Sequence, residues 1–304
     1  MISTKTVIAG VEFKNPIIAA SGTFGFGREY NTFYDVGKLG GICSKGLTLE
    51  PRLGNPPVRI AETPSGIINS VGLQNPGVEA FIRDELPFME GLDTVIIANA
   101  AGREESDYVK LVSILSETSV DMIELNISCP NVKKGGMAFG VEPAGVEHIV
   151  TAVRKVCKKP LIVKLTPNVS NIAENARAAE RAGADAISLI NTVAAMAVDF
   201  KTRKSVLAVG HGGLSGPCVK PIALKMVYDC YNAVKIPIIG MGGIMTGEDV
   251  CEFMLCGASA VEVGTANIFD PYASLNIVNE LTNTLESDNI LDVCELIGGL
   301  KVGQ

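Results

Sequence analysis

The sequence predicts an α/β protein folded as a closed (β/α)8 barrel of the TIM type. Three observations carry that expectation. Eight short runs, at 16–20, 41–44, 94–98, 122–125, 161–165, 186–190, 237–240 and 260–263, are apolar on both faces, as strands covered from two sides must be. Helical patterns lie between them at 78–89, 106–117, 143–156, 171–182 and 217–231, and strands that alternate with helices build a parallel sheet. One unit also recurs. Lys159-Pro160-Leu161-Ile162-Val163 leads through a helix to Ala182-Gly183-Ala184-Asp185-Ala186-Ile187, and Ile236-Pro237-Ile238-Ile239-Gly240 leads through another to Cys256-Gly257-Ala258-Ser259-Ala260-Val261. In both copies the glycine falls where a helix ends in a left-handed residue before the next strand. A doubly wound open sheet uses the same alternation and is the rival architecture; the count of eight strands favours the barrel.

The first element is a short hairpin at 6–13, TVIAGVEF, turning at Ala9-Gly10 and expected to cap one end of the barrel. Two connections, 45–76 after the second strand and 191–216 after the sixth, are too long for plain strand-to-helix turns. Each holds a hairpin of its own, VRIAET-PSG-IINS in the first and VDF-KTRK-SVLA in the second. Long structured loops on a barrel usually form a wall of the active site.

Composition narrows the function classes. A chain of 304 residues with 47% hydrophobic content can bury a large core, and the barrel makes residues 1–304 one domain. A net charge of −7 and a pI near 5.1 argue against nucleic acid or an anionic membrane as partner. No apolar run is long enough to cross a bilayer, and MISTKTVIAG lacks a signal pattern, so a cytoplasmic location is expected. The eight cysteines include no CxxC pair. Reduced thiols are expected, and the chain builds no zinc or iron–sulfur site alone.

In a parallel barrel the carboxyl ends of all strands open onto one mouth. Here they are Ala20-Ser21-Gly22, Ser44-Lys45-Gly46, Asn99, Asn126, Lys164, Asn191-Thr192, Gly242-Gly243 and Gly264-Thr265. Any one of these side chains could merely satisfy a neighbouring loop. Three asparagines and two lysines together call for a ligand or partners, because a buried unpaired amide or ammonium costs a few kcal/mol. The asparagines suit the edge of a planar heterocycle. The lysines would set positive charge beside an anion or a reduced flavin.

The last two strand ends resemble an anion cradle. Gly240-Met241-Gly242-Gly243-Ile244, a capping box from Thr246 to Asp249, and Gly264-Thr265-Ala266 offer backbone N–H groups at helix starts. Barrels commonly hold phosphate between the seventh and eighth strands, so a phosphorylated cofactor or substrate is expected. Glycines serving tight turns alone would read the same. Met245 stands where the third glycine of a GxGxxG would be, which argues against a Rossmann-type nicotinamide site.

Residues 122–140, MIELNISCPNVKKGGMAFG, carry the remaining chemistry. The strand delivers Cys129 to a loop that Pro130 stiffens and Gly135-Gly136 frees, the pattern of a lid over a pocket. A thiol there could take a proton α to a carbonyl once water is excluded. A small apolar filler at a strand end is the other reading of Cys129.

Five dispersed motifs point to a family. Ala19-Ala20-Ser21-Gly22-Thr23-Phe24-Gly25, Asn69-Ser70-Val71-Gly72-Leu73-Gln74-Asn75, Asn126-Ile127-Ser128-Cys129-Pro130-Asn131, Gly213-Leu214-Ser215-Gly216-Pro217 and Gly240-Met241-Gly242-Gly243 resemble those of the dihydroorotate dehydrogenases. More narrowly, the chain is similar to the catalytic subunits of the NAD-dependent class 1B branch. The resemblance implies oxidation of (S)-dihydroorotate to orotate in pyrimidine synthesis, with FMN across the barrel mouth. Ser21, Lys45, Gly46, Asn99, Asn126, Lys164, Ile190, Gly216, Gly242, Gly243, Gly264 and Thr265 would hold the cofactor. Lys45, Asn69, Ser70, Val71, Gly72, Leu73, Asn126, Asn191 and Thr192 would grip the substrate, and Cys129 would take its C5 proton.

The same resemblance implies a homodimer of this chain joined to a second subunit that carries FAD and a [2Fe-2S] cluster and passes electrons to NAD. Lys133-Lys134-Gly135-Gly136-Met137-Ala138-Phe139-Gly140 is similar to that branch. A fumarate-reducing homodimer is the nearest rival, and a sugar-phosphate isomerase a more distant one. Val141-Glu142-Pro143 and His211 depart from the usual pattern; His211 is expected near the phosphate region or solvated, and His148 is expected to be structural.

Overall fold

The computed structural model describes residues 2–128 and 139–303. The chain opens with an antiparallel hairpin, β1 (Thr6–Ile8) and β2 (Val11–Phe13), turning at Ala9 (φ 49°) and Gly10 (φ 83°). The barrel begins with β3 (Ile17–Ala19) and β4 (Gly41–Cys43). β5 (Ile60–Thr63) and β6 (Gly66–Asn69) follow in the first long connection. β7 (Val95–Ala100), β8 (Met122–Asn126), β9 (Leu161–Lys164) and β10 (Ala186–Leu189) continue the barrel. The second long connection holds β11 (Val193–Ala195), β12 (Val198–Asp199), β13 (Lys204–Ser205) and β14 (Gly212–Ser215). β15 (Ile238–Met241) and β16 (Ala260–Val263) complete it.

The barrel closes in the order β3-β4-β7-β8-β9-β10-β15-β16, every neighbouring pair parallel. Helices α1 (Val78–Ala80) and α2 (Leu86–Glu90), joined by a π-helical turn at Phe81–Glu85, lie between β6 and β7. α3 (Glu105–Ser116), α4 (Pro143–Arg154), α5 (Ile172–Arg181), α6 (Lys220–Tyr231) and α7 (Gly247–Leu255) follow successive strands. α8 (Ala266–Phe269) and α9 (Ala273–Ser287) end the set. Gly183 (φ 97°) and Gly257 (φ 109°) adopt the left-handed geometry expected after α5 and α7. No helix among the described residues is long and apolar enough to cross a membrane.

Two cores result. One fills the space between strands and helices. The other lies inside the barrel, where Ile18, Cys43, Ile97, Met122, Ile162, Ala186, Ile239 and Ala260 pack under Ile8 and Phe13 of the hairpin, so the cap closes the amino-terminal end as expected. Strand side chains alternate with a period of two. Two residues further along, the inward positions are Asn99, Glu124, Lys164, Ser188 and Glu262, all buried. The expectation of strands apolar on both faces is therefore wrong for this layer, because these groups satisfy one another inside the barrel.

The long connections also differ from expectation. The two predicted hairpins form, as β5–β6 and β12–β13, but the connections do not stay separate. β14 pairs with β6 on one edge and β11 on the other, giving a four-stranded sheet β11-β14-β6-β5. Ala61, Ile68 and Leu207 form its own small apolar core.

Candidate active site

The floor of the site is the buried polar layer. Lys164 Nζ donates to Glu124 Oε1 at 3.2 Å and to Glu262 Oε2 at 3.1 Å. β9 and β16 are not neighbours in the barrel, so the second bond crosses its interior. Glu124 Oε1 also accepts from Asn99 Nδ2 at 2.5 Å and from the Cys43 thiol at 3.2 Å, and Oε2 accepts from Ser188 Oγ at 2.7 Å. Burial opposes a charge on Glu124, but the Lys164 ammonium and then hydrogen bonds with Glu262, Ser188 and Cys43 win and hold its carboxyl down at about 2. Glu262 moves the other way, raised first by burial and then by the Glu124 charge. For Lys164 burial is outweighed by the two carboxylates, which raise it above the ordinary lysine value. Cys43 Sγ and oxygens of Glu124 and Glu262 lie within 4.8 Å of one another, and the Lys164 ammonium supplies the positive charge among them.

Above this floor the strand ends form a connected ring. A methyl group on Gly46 would approach Asn99 Oδ1 to 2.9 Å and Leu73 Cδ2 to 3.3 Å. Glycine there lets the end of β4, Asn99 and the 70–73 turn close up. Asn126 Nδ2 donates to Asn99 Oδ1 at 3.5 Å, and Asn126 Oδ1 accepts from Ser128 Oγ at 2.6 Å. Asn191 Nδ2 donates to the same Ser128 hydroxyl, while Asn191 Oδ1 accepts from the Thr192 N–H at 2.7 Å. Thr192 lies where a side chain on Gly213 would be, and the Gly213 carbonyl accepts from Asn69 Nδ2 at 3.4 Å. The carbonyl of Val71 accepts from the Asn55 N–H at 2.9 Å, and Gly72 packs on Asn55.

Two groups in this ring are short of partners. Ser70 Oγ is buried with no hydrogen-bond partner among the described residues. Lys45 Nζ, 3.9 Å from the place of a Cβ on Gly22, has neither a hydrogen bond nor an ion pair with another described residue. Burial, then the Arg59 guanidinium, hold Lys45 below the ordinary 10.5. An anion would relieve it.

The glycine turns also converge. Gly216, Gly242 and Gly243 take φ of 110°, 126° and 81°, where L side chains are strained. A Cβ on Gly243 would come 2.8 Å from the Gly216 carbonyl, and one on Gly242 3.3 Å from Ile190 Cγ1. Thr265 Oγ1 donates to Ser215 Oγ at 2.8 Å, joining the end of β16 to β14. A Cβ on Gly264 would make ordinary contact, 3.6 Å, with Ala20, the residue before Ser21.

The capping box expected at 246–249 forms, and it narrows the cradle. Asp249 Oδ2 accepts from the N–H groups of Met245 and Thr246 at 2.7 and 2.9 Å, so these are not bare. Lys220 is likewise engaged, 2.5 Å from Asp249 Oδ1 and 2.7 Å from Glu252 Oε2. The N–H groups of Gly243, Gly264 and Thr265 make no hydrogen bond to other described residues and remain for an anion.

Thus the structure brings the predicted strand-end residues together at one mouth. The Cys129 prediction falls outside the described residues, as does the glycine hinge at 135–136; Asn126 and Ser128, which lead to them, stand at the mouth. His211 is exposed beside the start of β14, the solvated reading. His148 Nε2 lies 2.6 Å from Glu105 Oε2 on the outer helices, away from the site. Sequence reasoning missed Glu124 and Glu262. The signal was present as a carboxylate at an alternate position of two otherwise apolar strands.

The profile of the dihydroorotate dehydrogenase family matches residues 3–285. The chain belongs to the dihydroorotate dehydrogenase family. Two relatives in the family, from Alkaliphilus oremlandii and Caldicellulosiruptor bescii, are 56% and 55% identical to it over 293 and 295 residues. The matches cover 96% and 97% of this chain and 97% and 98% of the relatives. A third, from Petrotoga mobilis, is 55% identical over 298 residues, covering 98% of this chain and 99% of the relative. All three are dihydroorotate dehydrogenase B (NAD(+)) catalytic subunits.

Proposed function

We propose that this chain oxidises (S)-dihydroorotate to orotate in pyrimidine biosynthesis, as a single catalytic domain working with an electron-transfer partner. The observation that carries the reading is the meeting of the three asparagines, Lys45 and the glycine turns at one mouth, in a chain of the dihydroorotate dehydrogenase family. FMN fits these residues. Free N–H groups at Gly243, Gly264 and Thr265 suit a phosphate, and the enclosed Lys164 gives the floor a fixed positive group. Ser21, Lys45, Gly46, Asn99, Asn126, Lys164, Ile190, Gly216, Gly242, Gly243, Gly264 and Thr265 would hold it. When bound, FMN supplies a two-electron acceptor for the hydride from C6.

The chain's own residues do the rest. Lys45, unpaired and reluctant to stay charged without a counter-ion, binds the substrate carboxylate. Asn69 through Leu73 with Asn126, Asn191 and Thr192 orient the ring, and the orphaned Ser70 hydroxyl gains a partner there. Cys129, assigned on its sequence motif, removes the C5 proton as a thiolate. The relatives' designation as catalytic subunits of NAD(+) enzymes favours electron transfer to NAD through a second subunit bearing FAD and a [2Fe-2S] cluster, around a homodimer of this chain, over direct reduction of fumarate.

The visible spectrum of the purified chain tests the chemistry: flavin absorbance should bleach anaerobically on adding dihydroorotate. A colourless protein, or flavin that does not bleach, overturns it. Assays with fumarate, and with NAD plus the copurified partner, separate the two acceptors.

A further inference from the structure

The floor holds more acidic groups than basic ones. Glu124, Glu262 and Lys164 are 0%, 1% and 4% exposed. Lys164 Nζ stands between the carboxylates at 3.2 and 3.1 Å. Glu124 has both oxygens engaged by Cys43, Asn99, Lys164 and Ser188. Glu262 bonds to Lys164 and shares a side-chain hydrogen bond with Glu124, and its Oε1 lacks a partner among the described residues. Cys43, from β4, is the remaining titratable group against the cluster, and burial ahead of the Glu124 charge keeps its thiol protonated. Two carboxylates cannot both ionise so close together in an enclosed space with a single ammonium to balance them. Glu262, short of donors, is the one that keeps a proton, in the direction that burial and the Glu124 charge already push it.

We propose that Glu124 and Glu262 are positioning residues that share a single proton, keep the floor neutral, and through the Lys164 ammonium set how readily a flavin at the strand ends is reduced. The inference rests on the flavin reading above. A reduced flavin carries more negative charge than an oxidised one, so a positive floor favours reduction and a negative floor opposes it.

The test uses the flavin-loaded full chain with Glu262→Gln, Glu124→Gln and the double variant. In Glu262→Gln the protonated carboxyl is removed and Glu124 stays ionised against Lys164; in Glu124→Gln the remaining Glu262 gives up its proton and pairs with Lys164. The flavin potential should therefore stay at the wild-type value, while the infrared carbonyl stretch of a buried carboxylic acid, present in the wild type, disappears. The double variant leaves Lys164 unbalanced and should move the reduction equilibrium at least tenfold toward the reduced form, about 30 mV for a two-electron couple. A potential that rises in each single variant, a wild type without the acid band, or a double variant with no shift overturns the proposal. Should the double variant not fold, Glu262→Gln decides alone: an unchanged potential with a lost band supports it, and a raised potential refutes it. The infrared band needs no flavin, so failure of the proton count is told apart from failure to bind FMN.

Discussion

Asn69 and Gly213 face each other in an antiparallel ladder, although 144 residues separate them. The pairing welds the two long connections into one sheet. It also sets Asn69, the 70–73 turn and Thr192 against each other as one wall of the mouth. A Cβ on Gly213 would overlap Thr192.

Gly213→Ala should accordingly cost about 1–3 kcal/mol of stability through overpacking and weaken orotate binding while FMN content stays near normal. Denaturant unfolding and orotate titration of the flavin spectrum check both effects. Wild-type orotate affinity in this variant would show that the wall does not position the ligand.

Lys45 should make substrate binding sensitive to alkaline pH. Its folded-state value lies below the ordinary 10.5, through burial and then Arg59, so the free protein loses this charge earlier than an ordinary lysine would. The neutral amine cannot pair with a carboxylate, and orotate affinity should fall as pH rises, with a midpoint in the free enzyme below 10.5. Lys45→Gln should lose about 1.5–3 kcal/mol of binding at neutral pH and abolish that dependence.

Cys129→Ala should retain FMN and slow its reduction by dihydroorotate by about 100- to 10,000-fold, the usual contribution of a positioned base. Stopped-flow absorbance measures it; unchanged kinetics would remove Cys129 from the chemistry.

Lys164→Met leaves two buried carboxyls with no cation and should destabilise the chain by about 3–5 kcal/mol at neutral pH, with loss of FMN. The pH dependence should also change, because Glu124 then joins Glu262 above the ordinary carboxyl value. In the wild type Glu124 is held down at about 2, below the ordinary 4.5, so its contribution is present above 4.5 and is lost as pH falls through about 2. Without Lys164 both carboxyls lie above the ordinary 4.5, and stability should fall more steeply as pH rises beyond 4.5 than in the wild type, where only Glu262 does so. Chemical denaturation from about pH 2 to about pH 8 distinguishes the two profiles.

Much of the site was legible because barrel topology does the long-range work. Once eight parallel strands are recognised, Lys45, Asn99, Asn126, Lys164, Asn191 and the glycine pairs must share one mouth, whatever their separation in the chain. The hairpins were equally legible, since their turns are local. The β6–β14 pairing was not, because contact between distant segments leaves no local periodicity to read. The bare N–H expected at the Thr246 start was misjudged for a related reason: the capping box itself consumes it.

From residue order alone come the alternation of strands and helices, the polar groups closing each strand, and the family motifs, all of which follow from local pattern. Folding in three dimensions added the partners. Glu124 and Glu262 look like blemishes in apolar strands until the barrel closes and turns them inward, where Lys164 lies between them. A charge's worth depends on distance to its neighbours in an enclosed space, and that distance is created only when the barrel shuts.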